Sequence, residues 1–150
     1  MKKIIIMLLL SAGCYYGVAY YQSIYNSPPK VDPALQDIVQ QWENAMTVND
    51  IDYKEGFNRI DRIRIVDDYG VDAGHYDKGS RTIFISKKIM ERGFHSTRVV
   101  MYHELGHYVF DLKHSKDSTH IMYERTIPNI KYKLNWWNMK DLYIIKCKAK

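Results

Sequence analysis

The sequence predicts an α+β fold: a small sheet backed by helices. Three observations carry that prediction. Apolar residues recur at helical spacing from Leu35 to Met46. Two short β-branched runs, Ile60–Val66 and Arg81–Ser86, follow close together. The second half then holds two more helical segments with an irregular stretch between them. The order is helix, strands, helix, loop, helix.

The elements follow from local chemistry. Asp32 followed by Pro33 starts the first helix, with an N-cap acceptor and then a proline at the first helical position. Leu35, Ile38, Val39, Trp42, Ala45 and Met46 give it one apolar stripe, ending near Asn49. In Ile60–Val66, Asp61, Ile63 and Ile65 share one face, and Ile60, Arg62, Arg64 and Val66 the other. Residues 67–78 are rich in Asp and Gly and read as loop. Arg81–Ser86 is a second strand and a candidate edge for pairing with an extended peptide. Gly93 breaks the chain, and Ser96 or Thr97 caps a helix running to about Phe110. Residues 135–147 form the last helix, with Trp136, Met139, Leu142, Tyr143 and Ile145 as its apolar positions.

The N-terminus reads as an address. Residues 1–25 are a signal peptide, a lipoprotein signal or a membrane anchor; 26–31 are a proline-stiffened linker; 32–150 are the domain. Lys2 and Lys3 precede the apolar run Ile4–Leu10, and Ser11-Ala12-Gly13 supplies small residues for cleavage. The segment Leu10-Ser11-Ala12-Gly13-Cys14 resembles a bacterial lipoprotein box, with Ser11 where leucine is usual. That resemblance implies a lipid anchor at Cys14. Alternatively, Ile4–Tyr21 is 18 residues long, just enough for a single transmembrane helix. Either way the expected chain is exported and membrane-tethered, with its domain on the extracytoplasmic side.

Charge and cysteines narrow the classes. The net charge is +5, with lysines gathered at both ends. No nucleic-acid motif accompanies them, so no nucleic-acid partner is expected, and the last lysines suit a helix C-terminus. The two cysteines, Cys14 and Cys147, lie near opposite ends, so neither a disulfide nor Cys-Cys zinc ligation is expected.

His103-Glu104-Leu105-Gly106-His107 is the most informative run. On a helix, residues i and i+4 share a face, so both imidazoles can point at one ion. Two His and a third ligand, with one position left open, make a catalytic zinc site. Glu104 stands beside them as a general base for a water. A third histidine, His114, follows seven residues after His107 and is the candidate third ligand. Asp111, Asp117, His120 and Glu124 are its rivals. His75, in Gly74-His75-Tyr76, reads as an ordinary loop histidine.

The segment His103–Tyr123 resembles the metzincin zinc peptidases, and within them the matrixins. Their motif is H-E-x-x-H-x-x-G-x-x-H followed by a Met-turn, with the third histidine opening an H-S-x-D stretch. Here His114-Ser115-Lys116-Asp117 and Ile121-Met122-Tyr123 match those parts. Two departures stand out. Phe110 occupies the glycine position, and the third histidine comes one residue late. Asp111, which tolerates left-handed geometry, can end the helix instead.

The resemblance implies a zincin/metzincin-like small twisted sheet packed on helices, with the motif on the active-site helix. It implies Zn2+ on His103, His107 and His114, with Met122 as a floor beneath them. Tyr123 would line the pocket or donate to a transition-state oxyanion. The expected activity is that of a monomeric zinc metalloendopeptidase acting on protein or peptide substrates, with Glu104 as general base. A zinc amidase acting on cell-wall peptides, or a tethered binding module that keeps the motif without activity, are the alternatives. Cys14 lies in the export segment, so latency through a propeptide cysteine is not expected.

Overall fold

Asp32 caps the first helical stretch, its carboxylate accepting from the Ala34 amide at 3.1 Å with Pro33 next in line. A 3-10 turn, Pro33–Leu35, leads into α1 (Gln36–Val48), and Asn49 closes it. These elements belong to a computed structural model that describes residues 27–67, 73–124 and 129–150. The predicted export segment, residues 1–25, lies outside the described residues. Among the described residues no helix is long and apolar enough to cross a membrane.

Of the predicted stripe, Leu35, Ile38, Val39, Trp42 and Met46 are buried, and Ala45 is partly buried against them. Trp42 is its centre. Tyr53 meets the indole edge-on at 5.2 Å between ring centroids, and Phe57 and Phe110 lie at 5.5 and 6.1 Å. Tyr53 caps, and Phe57 ends, a four-residue helix, α2 (Lys54–Phe57), that sequence reading missed. Its glycine is the reason it fits: a Cβ on Gly56 would sit 2.7 Å from the Val109 carbonyl oxygen.

Four strands form one mixed sheet in the order β1-β2-β4-β3. They are β1 (Lys30–Val31), β2 (Arg62–Val66), β3 (Gly74–Asp77) and β4 (Thr82–Ser86). β1 runs parallel to β2 and β2 parallel to β4, while β3 is antiparallel to β4. Three expectations change here. The stretch read as linker ends in a strand, since Lys30 and Val31 pair with Arg62 and Ile63. The 67–78 segment is not all loop, because Gly74–Asp77 forms β3, with His75 opposite Phe84. Arg81–Ser86 is no edge: β4 is paired on both sides and every residue in it is buried. That double burial is why it reads as a continuous apolar run. The edge strand beside it is β3.

A short helix, α3 (Lys87–Glu91), joins the sheet to the central helix α4 (Phe94–Phe110). α4 starts at Phe94, earlier than a Ser96 or Thr97 cap would allow. Gly93 is the N-cap, with φ 99, a conformation that glycine takes without cost. Thr97 is buried inside the helix, and its hydroxyl donates back to the carbonyls of Ile89 and Gly93.

The last helix, α5 (Asn129–Lys148), begins six residues earlier than predicted. Trp136, Met139, Tyr143, Ile144 and Cys147 are its buried positions, whereas Leu142 and Ile145 are exposed. The inward stripe thus steps 136, 139, 143, 147, the spacing of one helical face. Deep in the core, Trp42 Nε1 donates to the Tyr143 hydroxyl oxygen at 3.1 Å, tying α1 to α5. Removing that acceptor leaves a buried N–H unpaired. Tyr143→Phe is therefore expected to cost about 1–3 kcal/mol, read from denaturant midpoints; an unchanged midpoint would show the bond contributes nothing.

Candidate metal centre

α4 stacks His103 and His107 one turn apart, with ring centroids 4.6 Å from each other. The chain must then double back to bring a third ring to them. Asp111 makes that turn in the left-handed region, at φ 50 and ψ 37. The amides of Asp111 and Leu112 both donate to the Gly106 carbonyl, which closes the helix end. His114 follows on the returning strand of chain. Its ring centroid lies 5.2 Å from that of His103 and 4.6 Å from that of His107. One ligand nitrogen from each of the three rings lies within 4.8 Å of the others. These three histidines are close enough to bind a metal ion.

The backbone decides which nitrogens face inward. His103 Nδ1–H donates to the Ile121 carbonyl at 2.9 Å. His107 Nδ1–H donates to the Leu112 carbonyl at 2.5 Å. With both Nδ1 atoms committed as donors, each Nε2 carries only a lone pair. Yet the two Nε2 atoms lie 3.0 Å apart. Two lone pairs cannot bond each other at that distance, so the pair calls for an electrophile. A proton is disfavoured: burial pushes His103 down to about 4 and lowers His107 as well. A tetrahedral ion with nitrogens about 2.05 Å away would set them about 3.3 Å apart, close to what is seen. Three imidazoles, two of them locked by carbonyls, fit a metal ion.

Glu104 sits on the same helix beside the cluster. Burial pushes its carboxyl up to about 7, with no other contribution. The wall that dries it is β3. Gly74 approaches so closely that a Cβ there would lie 3.0 Å from Glu104 Oε1 and 2.7 Å from Val100 Cγ1. His114 is exposed, so the cluster opens to solvent on its side.

The rival ligands are engaged elsewhere or lie outside the cluster. Asp111 pairs with Lys113 at 2.8 Å. Asp117 accepts from the amide and hydroxyl of Thr119, at 2.8 and 2.7 Å. His120 is buried and accepts from the Met122 amide at 2.9 Å. Glu124 is exposed and His75 lies exposed on β3, both outside the group.

Met122 is fully buried, and a Cβ on Gly106 would sit 2.7 Å from its sulfur and 2.9 Å from Cε2 of Tyr143. The residue between Leu105 and His107 has to be this small for α4 to settle on that floor. Tyr123 is half-buried and forms an isolated bridge with Ser115. What sequence reading missed is the role of main-chain oxygens at Leu112 and Ile121. A carbonyl carries no side-chain signature, so no motif could have pointed to them.

The raised Glu104 pKa makes a stability prediction for the protein stripped of metal. A carboxyl that ionises at about 4.5 unfolded and about 7 folded holds its extra proton in the folded state, so stability falls as pH rises through that window. Glu104→Gln removes this loss. Its stability relative to the unmodified chain is expected to improve by up to about 3 kcal/mol between pH 4 and pH 8, read from urea midpoints. Parallel pH curves would contradict a desolvated carboxyl.

No protein-family model, no curated protein and no solved structure matches this chain.

Proposed function

We propose that this chain is a zinc-dependent metallopeptidase of metzincin type. The observation that carries the reading is the trio of imidazoles with two Nε2 lone pairs facing each other at 3.0 Å, beside a desolvated carboxyl. Imidazole donors suit zinc among the common divalent ions, and three of them with one open position is the donor set of catalytic rather than structural zinc. Zinc held by His103, His107 and His114 would supply Lewis acidity, lowering the pKa of a bound water and polarising a carbonyl.

The chain's own residues do the rest. Carbonyls of Ile121 and Leu112 keep His103 and His107 in the ligating tautomer. Glu104 takes a proton from the attacking water onto a carboxylate oxygen and delivers it to the leaving amine nitrogen. Its dry surroundings raise its basicity toward working pH. The outer edge of β3, which abuts Glu104 through Gly74, offers an extended peptide a ladder to join. The Lys2-Lys3 start and the apolar run Ile4–Leu10 support export and tethering, by a lipid at Cys14 or by a single helix, with the domain outside.

Two variants test the reading. Glu104→Gln is expected to keep one zinc per chain while peptide turnover falls about 10²–10⁴-fold. His114→Ala is expected to lose tight zinc binding and turnover together. An active Glu104→Gln protein, or stoichiometric zinc in His114→Ala, would contradict it.

A further inference from the structure

We propose that His120 is a positioning residue for the metal centre: it folds the turn of residues 120–123 into the one shape that holds two of the three metal-facing histidines. The inference rests on the metal reading above.

The turn serves two histidines at once. Ile121 contributes the carbonyl that accepts from His103 Nδ1–H at 2.9 Å. Met122 contributes the carbonyl that accepts from the Ser115 amide at 2.6 Å, and Tyr123 bridges Ser115 in parallel register. Ser115 is the neighbour of His114. A single peptide segment therefore sets the tautomer of one ligand and the backbone course beside another.

That segment has little regular structure to support it. It is pinned by its own bonds: the His120 amide to the Asp117 carbonyl at 3.1 Å, and the Tyr123 amide to the His120 carbonyl at 3.0 Å. At its centre the Met122 amide points inward and donates to His120 Nδ1 at 2.9 Å. A side chain that accepts from the amide two residues on makes the side-chain-closed turn that Asn and Asp usually make. Closing it fixes the orientation of the Ile121 peptide, and with it the direction of the carbonyl that His103 needs.

His120 is buried where it closes this turn. The ring is 5 % exposed. With Nδ1 accepting, a neutral ring carries its proton on Nε2, on the side of the Leu142 carbonyl of α5. A leucine in place of His120 could not accept from Met122.

Two substitutions separate bulk from bonding. His120→Leu keeps an apolar filling and removes the acceptor. His120→Asn shrinks the side chain but restores an acceptor for the amide two residues on. Zinc affinity, measured with zinc alone against a competing chelator, is expected to fall about 10–100-fold in His120→Leu and to stay near the unmodified value in His120→Asn. In the metal-free chain labelled with 15N-histidine, His103 is expected to remain the Nδ1–H tautomer in the unmodified protein and in His120→Asn, and to become a mixture in His120→Leu. Unmodified zinc affinity and an unmodified His103 tautomer in His120→Leu would overturn the proposal, as would an Asn variant as impaired as the Leu one. The tautomer needs no metal. If the unmodified chain fails to bind zinc, the metal reading falls, while the NMR result still decides whether His120 orients His103.

Discussion

Two hydrogen bonds to main-chain carbonyls govern the rest of the site. Ile121 and Leu112 each take the Nδ1 proton of a histidine, and so turn the lone pairs of His103 and His107 toward one another. Each bond is modest by itself, about 1 kcal/mol in net terms. Their consequence is larger, since they remove the donor that could have relieved a 3.0 Å contact between two acceptors. That arrangement suits a positive centre, and burial disfavours a proton on either ring. The convergence of the three rings comes from backbone placement as much as from the histidines themselves.

The fold exists to hold those carbonyls still. α4 is buried on most of its circumference: the sheet lies along one side, α5 along another, and Trp42 packs on Phe110 near its end. Gly106 lets Met122 and Tyr143 close against the helix between His103 and His107. Tyr143 is in turn bonded to Trp42 on α1. A chain of contacts therefore runs from the first helix through the last one to the turn that carries Ile121. Arg98 shows the same economy of space at the other end of α4, its guanidinium stacked 3.5 Å above Trp136 and bonded to the His95 ring.

Much of this was legible because it is local. The i, i+4 histidines, the Asp32-Pro33 start of the first helix and the stripe of α1 each follow from a few adjacent residues. Asp111 was readable as a helix end because few other side chains accept φ 50. The missed elements owe their existence to partners distant in sequence. Gly74–Asp77 has no β-branched residue and becomes a strand only because β4 offers it a ladder. Lys30–Val31 sits just after two prolines and extends only against β2. α4 carries apolar residues on nearly every side, so its periodicity could not mark where it begins. Leu142 and Ile145 look like core in a window of sequence, yet the stripe through Tyr143 and Cys147 turns both to solvent.

The central claim is that three imidazoles meet one divalent cation. X-ray absorption at the zinc edge, on protein loaded with one equivalent of zinc, tests it most directly. The account predicts a first shell of about four light atoms near 2.0 Å, with the outer-shell scattering of three imidazole rings. A spectrum with two rings or fewer, or zinc that washes away from the unmodified chain, would contradict it.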